Sequence, residues 1–275
     1  MITGQSNILE YSNVPPPGDD RRWRRIKSVL FPVLTFLLVC GVLEAVVRAG
    51  WVQSFILPPP SEVASALFER NTDLWYGFLQ TALAAVTGFC LSIVLGVMIA
   101  VVLSSSRIAQ QALYPYAVFF QTVPIIAIAP MLVIWTDTKF QTVSIAACIA
   151  SIFPIIANTY AGLTSTDPAL RELFKLYGAS SVSTLVKLRL PWALPSILTG
   201  LRVSAGLAII GAMVGEFVGG GGLGSVIESA RTQIRTDKVF AAVLLASLMG
   251  LALFTLVSLL SRLALRHWHP SEKDL

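Results

Sequence analysis

Long apolar runs constrain this chain more than any other feature in it. Six stretches of membrane-crossing length follow one another, at residues 29–47, 78–103, 112–135, 142–163, 196–218 and 239–265. About 20 apolar residues cross a hydrocarbon core. Within lipid, backbone N–H and C=O groups must be satisfied inside the segment, so such runs are helices rather than open strands. The expected fold class is an all-α membrane protein with six transmembrane helices. Only 13% of the 275 residues are charged, against about 25% in soluble domains, which excludes an ordinary soluble chain. Pro32, Pro115, Pro124, Pro130 and Pro154 lie within or near these runs and are expected to kink or break helices.

The net charge of +5 does not point to nucleic acid, because the cations gather at the ends of the apolar runs. With the N-terminus inside, inside segments hold Arg21 to Lys27, Arg107, Arg171, Lys175, Lys187, Arg189, Arg262, Arg266 and Lys273. Outside segments hold Arg48, Arg70, Lys139, Arg231, Arg235 and Lys238. This asymmetry of about two to one favours cytoplasmic N- and C-termini. Trp23, Trp51, Trp75, Trp135, Trp192 and Trp268 all fall near run ends, where amphipathic rings settle at the headgroups. The basic stretch before residue 29 resembles a signal peptide in order, but the apolar run is too long for one. A retained first span is expected. Cys40, Cys90 and Cys148 are too scattered for a metal site and read as buried small hydrophobes. His267 and His269 read as solvated tail residues.

Between runs, Pro58-Pro59-Pro60 followed by Ser61 and Glu62 predicts a short helix capped by Ser61 on the outer face. Residues 1–20 read as disordered. The expected organisation is a cytoplasmic tail over 1–28, a membrane domain over 29–265, and a second cytoplasmic tail over 266–275.

One polar segment interrupts the apolar pattern, ELFKLYGASSVSTLVKLRLP at 172–191. Before it, Asp167-Pro168 is a helix-start signal. A short helix is predicted over 169–177, with Leu170, Leu173, Phe174 and Tyr177 on one apolar face. Gly178 suits a left-handed cap, and Ser180 or Ser181 can start the next helical stretch. Pro191 and Pro195 are expected to bracket a turn into the fifth span.

The spacing of Glu172, Gly178, Leu188, Leu190 and Pro191 resembles the cytoplasmic coupling loop of type I ATP-binding-cassette (ABC) importer permeases, E-A-A-x-x-x-G-x9-I-x-L-P. Leu173 and Phe174 stand where that family usually has alanines. LPPPSEV, QTVPIIAIAPMLVIW, FPIIANTYAGL, LPWALPSILTGLR and GEFVGGGGLG are similar to the nitrate/sulfonate/taurine class, and permeases for thiamine-pyrimidine precursors are similar too. Trp135-Thr136-Asp137 departs from the Trp-Phe-Gly turn of many relatives. The resemblance implies a coupling helix between spans four and five, in a cytoplasmic loop of about 164–195, that docks on an ATPase. Glu172 would be its charged contact, Leu173, Phe174 and Tyr177 its apolar contacts, with Gly178, Leu190 and Pro191 setting the turn. It further implies two ABC ATPase subunits, a second permease copy in a homodimer, a periplasmic or lipid-anchored substrate-binding protein, and residence among the lipids of a bacterial inner membrane. The chain has no phosphate-loop motif. No cofactor is therefore expected on it, and ATP and Mg belong to the partner ATPase. Residues 219–222 read as a flexible outer loop.

Polar residues inside spans are costly and often functional. Gln121, Thr122, Asn158 and Glu216 are candidates to line a translocation path, while Glu44 reads as a bond between helices. Arg202 is placed near the inner end of the fifth span, which leaves no cation in mid-span and puts selectivity in the binding protein. A secondary transporter would often show inverted repeats and midplane ionisable groups, and a membrane enzyme would need a clustered nucleophile or acid–base pair. The chain shows neither pattern.

Overall fold

The computed structural model describes residues 20–69 and 73–265. Of the expected disorder over 1–20, residues 1–19 lie outside the described residues, while Asp20 opens a helix; the tail from residue 266 and its histidines lie outside them too. The described residues contain helices and no strand. The helices are α1 (Asp20–Arg48), α2 (Pro60–Phe68), α3 (Asp73–Ser105), α4 (Arg107–Thr122), α5 (Ile125–Trp135), α6 (Lys139–Thr164), α7 (Pro168–Leu176), α8 (Ser181–Thr184), α9 (Leu190–Gly219), α10 (Gly222–Thr232) and α11 (Thr236–Leu265). Helices α1, α3, α6, α11 and the continuous stretch Ser181–Gly219 are long and apolar enough to cross a membrane.

The third expected span, 112–135, differs from the structure. It is two helices, α4 and the shorter apolar α5, with Val123 and Pro124 extended between them (ψ 122° and 116°). Pro124 has no N–H to donate and disfavours a helical conformation at the residue before it. Pro32, Pro115, Pro130 and Pro154 are carried inside helices. The expected turn between Pro191 and Pro195 is absent, since both lie within α9. Helix α8 runs into α9 through a π-helical turn, Leu185–Arg189, in which the Leu190 N–H donates to Leu185 O.

The chain divides into two compact units, up to Ser61 and from Glu62. In the first, Glu44 accepts from Ser61 Oγ (2.7 Å), Ser61 N (3.0 Å) and Arg48 Nε (2.7 Å). Ser61 therefore lies inside the first turn of α2, bonded to Glu44, and is not its N-cap.

In the second unit α6 and α9 form the central antiparallel pair, with α3 packed on α6. Small residues line the contact. A Cβ on Gly211 would stand 2.6 Å from Ala150 Cβ and 2.7 Å from Ala146 O, and one on Gly200 would stand 2.8 Å from Pro154 O. Gly162 faces Ala193 and Ser196, and Gly219 faces Thr142. On α3, Gly88 meets Ser144 O in the same way. Lipid tails are as apolar as leucine, so helices in a membrane associate by close packing of this kind. Ser204 Oγ donates to Ser151 O at 2.6 Å, one buried bond across the pair. Along α9 the opposite, outward side is uncovered, with Val203 and Ile210 exposed. Trp51, Trp75, Trp135 and Trp192 are exposed at helix ends, as the aromatic-belt reading expects.

Gly211→Leu would force backbone apart at the centre of the pair. Overpacking costs about 1–3 kcal/mol or more, so the detergent-solubilised protein is expected to melt earlier and accumulate less. Gly206→Ala, where a Cβ meets nothing within 4 Å, should leave melting unchanged or slightly raised. Equal melting of the two variants would contradict this packing.

Candidate coupling and transport sites

Helix α7 is built as its sequence suggests. Asp167 Oδ1 accepts from Ala169 N (2.8 Å) and Pro168 occupies the first turn. Gly178 ends it with φ +69°, a conformation that suits glycine and strains other residues. Its N–H donates to Lys175 O, and Ala179 N–H to Phe174 O, each at 3.0 Å. Ser180 then caps the next stretch by accepting from Ser183 N (3.2 Å).

No residue of α7 is buried. Glu172 is exposed, and Leu173, Leu176 and Tyr177 stand outward with 44%, 84% and 84% of their surface accessible. Phe174 and Leu170 are half-buried. The outward apolar set is thus Leu173, Leu176 and Tyr177. Leu176 was not among the expected residues, although it lies one turn from Glu172 and Leu173. Of the others, Leu190 and Pro191 are half-buried in the first turn of α9.

Two arginines that motif spacing did not single out fasten this segment to the bundle. Arg171 donates to Thr166 O (2.6 and 3.1 Å) and Thr164 O (3.0 Å). Arg189 donates to Leu163 O (3.1 Å) and, 85 positions away in sequence, to Ser104 O (3.2 Å). The last carbonyls of a helix have no internal partner and carry its negative dipole end. The two guanidinium groups satisfy those of α3 and α6. Helix α7 is thereby tied to the end of α6, and the turn that leads into α9 to the ends of α3 and α6. A cavity of about 490 Å³ opens beside them, lined by Ser104, Arg171, Lys175 and Arg189 among others.

The four candidate path residues are not brought together. Gln121 and Thr122 are exposed at the end of α4, where Thr122 Oγ1 donates to Phe119 O (2.8 Å). Asn158 is half-buried and donates to Pro154 O of its own helix (2.8 Å). It faces Gly200, which lies about 24 Å along α9 from Glu216.

Glu216 is buried and accepts from Gly224 N at 2.8 Å. Gly222 N donates to Gln80 Oε1 (3.0 Å) and Leu223 N to Thr81 Oγ1 (2.9 Å). Three successive N–H groups at the start of α10 are therefore capped by side chains of α3 and α9, where the first turn of a helix has no internal partner. Gly220, Gly221 and Gly222 have φ of +75°, +99° and +57°, and a Cβ on Gly222 would overlap the Glu216 carboxyl. The expected flexible loop at 219–222 is instead an ordered turn, and α10 is an element the sequence reading lacks. Beside it lies a cavity of about 210 Å³ lined by Gln80, Lys139, Glu216 and the three glycines. Further along α10, Arg231 donates to Glu228 (2.6 and 2.9 Å), which holds that carboxyl below its usual range.

Arg202 also differs from expectation. Helix α9 begins well before residue 196, so Arg202 sits nine residues beyond Ala193, the residue opposite Gly162. Its Nε is buried without a hydrogen-bond partner.

A bundle of membrane-length helices built round small-residue contacts, with an exposed amphipathic helix clamped at one end, defines an all-α membrane protein. The chain belongs to the family of binding-protein-dependent transport system inner membrane components, which matches residues 92–268. It is an integral inner-membrane permease subunit of an ABC importer, not an enzyme. It is 34% identical over 244 residues to the formylaminopyrimidine transport permease ThiX of Halalkalibacterium halodurans, covering 88% of this chain and 97% of that one. It is 32% identical to the riboflavin transport permease RibX of Chloroflexus aurantiacus, over 91% and 96% of the two chains. It is 29% identical to the putative aliphatic sulfonates transport permease SsuC of Escherichia coli, over 90% and 95%. Its fold is similar to an amino acid ABC transporter with histidines (17% identity, TM-score 0.57, 69% and 92% covered). A bacterial ABC transporter for the import of alginate is similar too (17% identity, TM-score 0.56, 88% and 98%).

Glu216→Ala would strand the Gly224 N–H. Leaving one buried donor unsatisfied costs about 1–3 kcal/mol, and melting should fall accordingly. Glu216→Gln, which keeps an acceptor, should lose less. Identical melting for both variants would remove the capping role.

Proposed function

We propose that this permease pairs with a second copy of itself and forms half of a path whose opening is driven by two separate ATPase subunits docked on α7. The observation that carries the reading is α7 itself. Its polar and apolar residues Glu172, Leu173, Leu176 and Tyr177 stand free of the bundle, while Arg171 holds the helix to the end of α6. A basic helix on the inner leaflet would turn Leu173, Leu176 and Tyr177 to lipid; family membership favours a protein groove. In this reading Phe174 packs the helix against its own segment, and Gly178, Leu190 and Pro191 set its direction. ATP and Mg act on the partner, and the α7 end with both termini faces the cytoplasm. A periplasmic or lipid-anchored binding protein delivers the solute at the Glu216 end.

For the solute, similarity to the ThiX permease supports a thiamine-pyrimidine precursor or another vitamin-like compound. Similarity to the SsuC permease supports a sulfonate, taurine, nitrate or a related anion. Thermal-shift measurements on the co-purified binding protein, with formylaminopyrimidine and with an alkanesulfonate, decide between them.

Tyr177→Ala and Glu172→Lys should insert normally in the membrane yet retain less ATPase on purification. Loss of one buried interface anchor is worth more than about 1 kcal/mol, so ATPase binding should weaken severalfold or more. Wild-type ATPase recovery and transport in both variants would refute docking through α7.

A further inference from the structure

We infer that Arg202 is a solute-contacting residue inside the membrane, and that the helix face it shares with Thr199 and Gly206 takes an anionic, oxygen-bearing group such as a sulfonate or carboxylate. The position rests on packing. On α9, Ala193 opposes Gly162 and Gly219 opposes Thr142, and this paired stretch is about 39 Å long. Arg202 lies about 13 Å from its Ala193 end, which puts it inside a hydrocarbon layer about 30 Å thick.

Nothing in the described chain compensates its charge. No hydrogen bond or ion pair to Arg202 occurs among the described residues, and its Nε is buried. Helices α5 and α6, and α4 beyond them, carry no acidic residue. On α3 the acid is Asp73, on α11 it is Asp237, and on α9 it is Glu216. All three sit at the far end of the bundle, Glu216 about 21 Å further along the helix. The cations of α11 are Lys238, buried beside Asp73 at 3.7 Å at that same far end, and Arg262, exposed in its last turn. An uncompensated guanidinium of this kind does not face lipid tails. Such groups face a bundle interior or a water-filled passage and mark solute pathways.

The neighbouring surface leaves room for a ligand. Thr199 and Gly206 are one turn to either side of Arg202, and a side chain at Gly206 would meet nothing within 4 Å. Thr199 is exposed, with its hydroxyl hydrogen donated to Pro195 O (3.0 Å), so its oxygen offers no further donor. That face therefore presents one cation, whose planar fork of N–H donors matches a carboxylate or sulfonate.

This inference rests on the permease reading above, and its test separates the two. Cys40, Cys90 and Cys148 are replaced by alanine in the full chain, and Gly206→Cys is introduced. The complex, in native membrane vesicles, is treated with sulfonatoethyl methanethiosulfonate, itself a small sulfonate, or with its trimethylammonioethyl counterpart. Rates are scaled to those of a free thiol. A local cation should favour the anionic reagent by about tenfold. Arg202→Gln should abolish the preference and Arg202→Lys should keep most of it. Absence of labelling by either reagent would place the face outside an aqueous passage and overturn the inference. A preference that survives Arg202→Gln would overturn it as well. ATPase recovered with each variant reports separately on coupling: its absence from every variant would defeat the docking reading while the labelling ratio still reads the Arg202 face.

Discussion

The rest of this structure hangs on the close approach of α6 and α9. Where Gly200 and Gly211 on α9 meet α6, and Gly162 on α6 meets α9, a Cβ would enter occupied space. Such contact brings backbones near enough for dispersion to act over the length of both helices. It also sets the vertical register. Gly162 against Ala193 at one end and Thr142 against Gly219 at the other place every polar group of α9 at a definite depth. The clamp at the α7 end and the capped turn at the Glu216 end are both built on this pair, since Arg189 bonds the end of α6 and Glu216 projects from α9 to α10.

How far this could be read from sequence follows from where each signal lies. The long runs were legible because hydropathy is local and backbone satisfaction in lipid leaves one solution. Helix α7 was legible because its start, its apolar spacing and its terminating Gly178 lie within a dozen residues. Helix α10 was not. It opens on glycines, and its caps come from Gln80, Thr81 and Glu216, two of them 142 residues away in sequence. The break at Val123 was half legible, since Pro124 was recognised as a helix breaker but the apolar run continued across it. Arg202 was misplaced for a related reason. Hydropathy put the edge of the fifth span at residue 196, whereas the helix starts earlier and carries the arginine deeper.

The two ends of the bundle solve the same problem in opposite ways. At the α7 end, free helix carbonyls are met by Arg171 and Arg189. At the other, free helix N–H groups are met by Gln80, Thr81 and a carboxylate. Each pairing matches the sign of the helix dipole it faces, and each crosses between helices. Displacing α7 must therefore strain its bonds to the end of α6, displacing the π-helical turn before α9 must strain bonds to α3 and α6, and displacing α10 must strain bonds to α3 and α9. Helix α3 is common to both sets, which gives the two ends a shared rigid member without any bond between them.

Against that background the middle of α9 stands apart. Ser151, Ser204, Thr199 and Asn158 find partners in their own helix or the next. Ser144 and Thr159 are buried without a bond, yet a neutral hydroxyl is inexpensive to leave unpaired compared with a charge. Arg202 combines both costs, a full charge and a buried, unpartnered nitrogen. A chain that caps its helix ends so completely does not leave a guanidinium bare by default of available partners, because an acid at any neighbouring position would have met it. A permanent internal counter-ion would fill the site and hold a passing solute away. Without one, the field stays available to whatever crosses.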